Sequence, residues 1–200
     1  VGVVGVGHIG SNHARIYSEL PNAELVAILD IDPARADEIG AQYKVKAAGS
    51  LEEFADMVHA ASIATPTSAH FSIARDLLAQ GKHLLIEKPI TEKTSDARDL
   101  AQMAAEKGLV LQVGHVERFN PATTAAWPLI EGPKYIRAER FSPHAFRSTD
   151  ISVVHDVMIH DLDLVLALVA VPVQRVEAFG VTLLGGHEDC VQARITFANG

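Results

Sequence analysis

The stretch Val1-Gly2-Val3-Val4-Gly5-Val6-Gly7-His8-Ile9-Gly10 decides the fold. It begins as a short β-branched run and closes in Gly-x-Gly-x-x-Gly, carried by Gly5, Gly7 and Gly10, where a segment of helical period (His8 to Leu20) opens. Strand, glycine turn and helix in that order make the first unit of a dinucleotide-binding fold. The next strand pattern, Glu24 to Asp30, ends in an acid 20 residues after Gly10, where a ribose-binding carboxylate belongs. Each glycine has its own physical reason. Gly5 permits the tight turn, Gly7 lets backbone approach a pyrophosphate, and Gly10 lets helix and strand pack closely. The first helical turn, with His8, Ile9 and Gly10, directs its N–H groups at the phosphates. Asp30 accepts from the adenosine ribose hydroxyls and repels a 2′-phosphate, so the expected cofactor is NAD rather than NADP. A glycine turn that binds nothing is the alternative.

Outward from this unit, short apolar runs alternate with helical patterns as far as Gly114. Further strands are expected at Ala60 to Ala64, His83 to Glu87 and Leu109 to Val113, with a weaker one near Val45. Most are apolar almost throughout, as strands of a parallel sheet covered on both faces are. Helices are expected at Pro33 to Tyr43, Leu51 to Ala55, Ser68 to Gln80 and Ser95 to Lys107, with Gly81 and Gly108 at C-cap positions. After Gly114 the pattern changes. A proline-punctuated segment, Asn120 to Pro133, leads to an alternating strand, Lys134 to Phe141, and a loop with Pro143. An apolar helix, Ile151 to Val169, then precedes two strands, Gln174 to Leu184 and Cys190 to Phe197. The expected fold is α/β: a Rossmann NAD-binding domain over residues 1–115, then a truncated α+β domain over 116–200 with an open, mainly antiparallel sheet.

Composition excludes several functions. With 17 Lys+Arg against 25 Asp+Glu, the net charge is -8, and no long basic run exists to neutralise nucleic-acid phosphates. The longest uncharged apolar run, Leu164 to Val173, is about half the ~20 residues of a membrane span, and Pro172 interrupts it. The one cysteine, Cys190, cannot form an internal disulfide, and no basic segment precedes the apolar start, so a cytoplasmic location is expected.

Three further motifs carry chemistry. Ala64-Thr65-Pro66-Thr67 follows a strand with His70 nearby, Gly81-Lys82-His83 leads into a strand closing in Glu87-Lys88-Pro89, and Asp156 and His160 stand four residues apart. In combination with the fingerprint they resemble the glucose-fructose oxidoreductase, inositol dehydrogenase and MocA family of NAD(P)-dependent sugar and polyol dehydrogenases, along the whole chain. Gly114-His115-Val116-Glu117-Arg118-Phe119-Asn120-Pro121 and Arg147-Ser148-Thr149-Asp150 look like its branch acting on UDP-sugars, which implies oxidation of the C3 hydroxyl of a UDP-N-acetylhexosamine on the way to lipid A. The resemblance implies cofactor contacts from Gly5, Gly7, His8, Ile9, Gly10, Asp30, Thr65, Pro66, His70, Glu87 and Lys88. It implies a catalytic set of Lys88, Asp156 and His160, substrate contacts from Arg118, Asn120, Arg147 and His160, and a Lys88-Pro89 bond that is cis. It also implies a homo-oligomer, dimer or tetramer, joined through the open face of the second sheet.

The residue types suit the reaction. Oxidising a secondary alcohol removes a hydride from carbon and a proton from oxygen, which calls for a base near neutral pKa. His160 has that chemistry, and Asp156 lies one turn away on the same helix face. A Lys88 ammonium stabilises developing alkoxide charge. The alternatives are a solvated Lys88 after a trans turn, acids Asp156, Asp161 and Asp163 held by caps and ion pairs, and a metal at His155, Asp156 and His160. That metal reading is disfavoured because i and i+5 diverge on an α-helix; none is expected.

From Gly132 to Thr149 the basic residues Lys134, Arg137, Arg140 and Arg147 face one acid, Glu139, a local +3 suited to an anionic nucleotide sugar. Solvent-facing or interface arginines are the other reading; three residues apart on a strand, Arg137 and Arg140 point to opposite faces. The expected function is an NAD-dependent dehydrogenase of a sugar or nucleotide sugar. The alternatives are a dehydrogenase of a free sugar, polyol or inositol, and a non-catalytic NAD-binding sensor or scaffold. About 85 residues are few for the substrate domain, the chain opens on Val1, and Asn199-Gly200 is a hairpin signal with no returning strand, so a longer protein is expected.

Overall fold

The computed structural model describes residues 1–141, 151–184 and 186–199. The chain divides into two compact units, Val1–Gly114 and His115–Gly200. In the first, β1 (Gly2–Val4), β2 (Ala27–Leu29), β3 (Lys46–Ala47), β4 (Ala60–Ile63), β5 (His83–Ile86) and β6 (Leu111–Val113) form one parallel sheet in the order β3-β2-β1-β4-β5-β6. The connecting helices are α1 (His8–Glu19), α2 (Pro33–Tyr43), α3 (Leu51–Met57), α4 (Thr67–Ala79) and α5 (Thr94–Glu106). This is the doubly wound Rossmann arrangement, and the order reverses between β1 and β4. At such a switch point, loops leave toward opposite faces and open a crevice at the carboxyl ends.

The alternation of side chains sorts the core into two layers. Val3 and Ile28 pack with Ala14, Ala36 and Ile39 beneath α1 and α2. Val4, Ala27 and Ile63 face Phe54, Leu77, Leu78 and Leu100 of α3, α4 and α5. Those four large side chains are completely buried, each contributing about 1.5–3 kcal/mol of transfer free energy. Local signals place the helices over them. Asp32 caps α2 by accepting from Ala34 N, and Pro33 takes the first helical position; Ser50 caps α3 by accepting from Glu53 N.

The strands are shorter than the apolar runs. β1 ends at Val4 because the Val6 N–H donates to the Asp30 carboxylate at 2.7 Å instead of to a neighbouring strand. Single backbone bonds continue the ladder beyond the strands: Gly5 N to Leu29 O, Ala64 N to Val4 O, Glu87 N to Ile63 O and Gly114 N to Ile86 O, all 2.8–2.9 Å. Gly5, Ala64, Glu87 and Gly114 therefore lie along one carboxyl edge.

The second unit holds a 3-10 turn (Val116–Phe119), α6 (Pro121–Ala126), another 3-10 turn (Trp127–Leu129), a π turn (Val154–Met158), α7 (Ile159–Val169), and β7 (Val173–Val181) antiparallel to β8 (Cys190–Phe197). Two expectations are corrected. Lys134 to Phe141 is not a strand, although it alternates; among the described residues no ladder pairs with it, and its arginines bond acids instead. The expected helix from Ile151 is a π turn followed by α7. Its entry is irregular because Val153 N donates to Glu188 O, while Ser152 O accepts from both His155 N and Asp156 N. β7 stops at Val181 because Leu183 N and Leu184 N donate to the Asp189 carboxylate. The Pro143 loop and Gly200 lie outside the described residues.

Candidate active site

Gly5 occupies φ +80°, and a Cβ there would meet Thr65 Cγ2 at 2.8 Å and the Ala64 carbonyl at 2.9 Å. A Cβ on Gly10 would come within 1.7 Å of the Gly5 carbonyl oxygen, so α1 lies directly against the turn. Over Gly7 there is open space, with no atom within 4 Å of where a Cβ would stand. Gly7 is also the N-cap of α1, no side chain caps that end, and its first turn carries no acid. Unspent N–H groups at His8, Ile9 and Gly10 thus face an open approach, the arrangement an anionic pyrophosphate requires.

Asp30 is committed on both carboxylate oxygens. Oδ2 accepts from Val6 N at 2.7 Å and Oδ1 from Asp32 N at 2.9 Å, leaving one lone-pair direction on each for a ribose hydroxyl. The same carboxylate therefore shapes the glycine loop. Arg35 completes the clamp, its Nε donating to Val6 O at 2.9 Å. Arg35 carried no motif; only its position in the first turn of α2 hinted at it.

Across the switch point, Thr65 and Pro66 follow β4, with Pro66 the N-cap of α4. Thr65 Oγ1 is buried and finds no hydrogen-bond partner among the described residues. A hydroxyl left so beside the glycine turn, with the open space over Gly7, fits a bound dinucleotide. His70 has a different task. It is 1% exposed, and its ring nitrogens lie 2.9 Å from Pro89 O and Thr65 O. Both are spent inside the protein, so His70 braces the loops of β4 and β5 rather than offering a nitrogen to a ligand.

At the end of β5 the Lys88–Pro89 peptide is cis. The Glu87 carboxylate beside it is held from several sides. Oε1 accepts from His13 Nε2 at 3.0 Å and Oε2 from Lys88 N at 3.2 Å. His13 Nδ1 lies 3.1 Å from Ser62 Oγ, which is 2.8 Å from the Tyr17 hydroxyl. Burial works against the charge on Glu87, but the His13 hydrogen bond and charge, with the Lys88 N–H and ammonium, outweigh it and hold its pKa below the ordinary glutamate value. No motif singled out His13, Tyr17 or Ser62. The available signal was a polar i, i+4 pair on the sheet-facing side of α1.

In the second unit the expected substrate residues have protein partners. Arg118 donates from Nε and Nη2 to Asp163, both at 2.6 Å, a bidentate pair. Asn120 caps α6 through Ala122 N and donates to Glu117 Oε2. Arg140 pairs with Asp161 and Glu117, and Arg137 with Glu139. Within the local +3 segment, Arg140 is thus answered by acids of the 3-10 turn and α7, and Arg137 by the segment's own acid. Arg147 lies outside the described residues. Asp156 sits in the π turn and His160 in the first turn of α7. Asp163 is 10% exposed; burial opposes its charge, yet the Arg118 hydrogen bond, with His115, Arg118 and His160 nearby, lowers its pKa. Among the described residues no three His, Cys, Asp or Glu side chains are placed to hold a metal.

Residues 1–115 match the family described as "Oxidoreductase family, NAD-binding Rossmann fold". A curated relative, UDP-N-acetylglucosamine 3-dehydrogenase from Acidithiobacillus ferrooxidans, is 41% identical over 200 residues, which are 100% of this chain and 63% of the relative. The solved structure of UDP-N-acetylglucosamine 3-dehydrogenase GnnA from that organism superposes with a TM-score of 0.94 at 40% identity, over 100% of this chain and 63% of the other. GenD2 from gentamicin A biosynthesis, solved in complex with NAD, superposes at 0.85 with 25% identity, over 100% and 62%. With a Rossmann sheet, a built dinucleotide cradle and these likenesses, the chain belongs to the Gfo/Idh/MocA oxidoreductase family.

Proposed function

We propose that the protein is an NAD-dependent dehydrogenase of a sugar secondary hydroxyl, and that its substrate is a UDP-N-acetylhexosamine oxidised at C3. The observation that carries the reading is a dinucleotide cradle with Glu87-Lys88-Pro89 on the same carboxyl edge. When bound, NAD supplies the electrophilic carbon that takes the hydride from the carbinol carbon. The residues of this chain do the rest. Gly5, Gly7 and the first turn of α1 hold the pyrophosphate, Asp30 the adenosine ribose, and Thr65 offers its hydroxyl. Lys88 stabilises the alkoxide, and His160 takes the hydroxyl proton, with Asp156 one turn away. The nucleotide sugar is favoured by likeness along the entire chain to the A. ferrooxidans dehydrogenase.

A second reading keeps the chemistry and takes a free polyol or inositol. The pairing of Arg118, Arg137 and Arg140 with acids favours it, since those guanidinium groups are already neutralised. The test is nicotinamide reduction, followed at 340 nm, by purified protein given UDP-N-acetylglucosamine, other UDP-sugars, free sugars and inositols. Reduction by UDP-N-acetylglucosamine supports the first reading, and reduction by uncharged polyols alone supports the second. No reduction by any of them overturns both. Lys88→Ala is expected to lower kcat at least about 100-fold while NAD still binds.

A further inference from the structure

His13 lies outside every motif, yet it occupies the junction of the cradle and the Glu87-Lys88-Pro89 segment. It is one turn into α1, the helix whose first turn faces the pyrophosphate approach, and its ring reaches β4 through Ser62 and the end of β5 through Glu87. His13 and Glu87 are 15% and 16% exposed, and Ser62 is completely buried. An ionised Glu87 accepts only, so His13 Nε2 donates to it. On the other side of the ring the Ser62 hydroxyl, which can both donate and accept, lies 3.1 Å from Nδ1 and 2.8 Å from the Tyr17 hydroxyl.

An independent observation lies on the other side of Glu87. A Cβ built on Gly114 would stand 3.0 Å from Glu87 Cδ, Oε1 and Oε2 together. The carboxylate is therefore seated flat over a bare backbone position, with the imidazole of His13 as its side-chain donor and Lys88 N bonded to its second oxygen. Such a seat leaves little room for another rotamer, and what it fixes is the group immediately preceding Lys88.

We propose that His13, anchored by Ser62 and Tyr17, is a positioning residue that seats the Glu87 carboxylate over Gly114 and so sets the Glu87-Lys88-Pro89 segment for the reaction. The inference rests on the reading of Lys88 as the group that meets the reacting hydroxyl. It does not require His13 to touch cofactor or substrate.

The test compares His13→Leu, which removes both polar contacts at similar bulk, with His13→Gln, whose amide can still donate toward Glu87. For each, kcat and KM for the sugar, the NAD dissociation constant, the emission of bound NADH and the melting temperature are measured. His13→Leu is expected to lower kcat about 10- to 100-fold with NAD affinity changed less than threefold, and His13→Gln to recover most of the loss. A merely structural role would lower stability in both variants without that split. Near-wild-type kcat in His13→Leu, or equal loss in both variants, overturns the proposal. Should the wild type reduce NAD with no sugar, the functional reading fails separately. Emission then decides: an altered NADH spectrum in His13→Leu, restored in His13→Gln, upholds the positioning role, and an unaltered one sinks it. If His13→Leu does not fold, His13→Asn, which keeps a donor near Ser62 but falls short of Glu87, takes its place under the same criteria.

Discussion

Two glycines three residues apart, equivalent as letters in a motif, face opposite physical situations. At Gly10 a methyl group would meet backbone oxygen at 1.7 Å, so Gly10→Ala must push α1 from the Gly5 turn. Overpacking of this kind costs about 1–3 kcal/mol. At Gly7 the same methyl group meets nothing of the protein. Gly7→Ala is therefore expected to melt within a degree or two of wild type and yet bind NAD at least about tenfold more weakly, a loss of about 1.4 kcal/mol, because the new methyl occupies the space that backbone leaves for phosphate. Titration of NADH emission alongside a thermal melt checks both, and a Gly7→Ala protein with native affinity would remove Gly7 from the site. The glycines were legible because their reason is local. Asp30 was legible only in part, since the ribose role proposed for it rests on strand position whereas its bonds to Val6 N and Asp32 N depend on how the loop closes. His13 was illegible for the same kind of reason: its partners lie 49 and 74 residues away.

Among the elements, α7 shows best where pattern and packing part. Its apolar run announced a helix, none of whose residues is buried, and the acids at Asp161 and Asp163 are held by Arg140 and Arg118, as the ion-pair reading of that helix allowed. What no spacing announced was the π turn before it, which arises from competition for Ser152 O and Val153 N at the helix entry. The segment Lys134 to Phe141 failed in the opposite way. It alternates, but a strand needs a neighbour as well as a pattern. The Arg118–Asp163 pair carries a measurable consequence. Arg118→Met leaves Asp163 without its bidentate donor. A fully buried pair broken this way costs about 3–5 kcal/mol; with Arg118 47% exposed, roughly 1–2 kcal/mol is expected in urea unfolding. The acid side follows by linkage. The folded pKa of Asp163 lies below its unfolded value, so the pair's contribution is complete above an unfolded pKa of about 4 and is lost as pH falls through the lowered folded value. Wild type and Arg118→Met should therefore converge in stability below that range, and a gap that persists at low pH would assign the loss to packing of the arginine stem.

At the scale of the whole molecule, the first unit was readable almost completely because its contacts repeat one local rule, strand then helix then parallel strand, and crossover handedness leaves few ways to stack that rule. The second unit follows no such repeat. Its two strands are neighbours in sequence and in space, while its charged contacts join segments 21 and 45 residues apart. The chain spans 63% of the length of the curated relative it matches at 41% identity, so the first unit is where its own residues can be tested most directly. A ligand that binds only the folded state stabilises it by mass action, about 2.7 kcal/mol at 100 times its dissociation constant. For a unit the size of Val1–Gly114, that corresponds to a rise in unfolding midpoint of roughly 10 °C. Calorimetry with and without NAD should show that rise in the wild type and, for a tenfold loss of affinity, about half of it in Gly7→Ala at the same NAD concentration. Phe54→Ala separates cradle from core. It empties a completely buried ring site between α3 and the sheet, for a cost of about 3–5 kcal/mol, without touching the glycine loop. Its midpoint should fall by more than NAD restores while the NAD-dependent increment survives. If Phe54→Ala instead abolished the increment at a temperature where the protein is still folded, the cradle would depend on packing beneath α3 and not on the loop geometry of Gly5, Gly7 and Asp30.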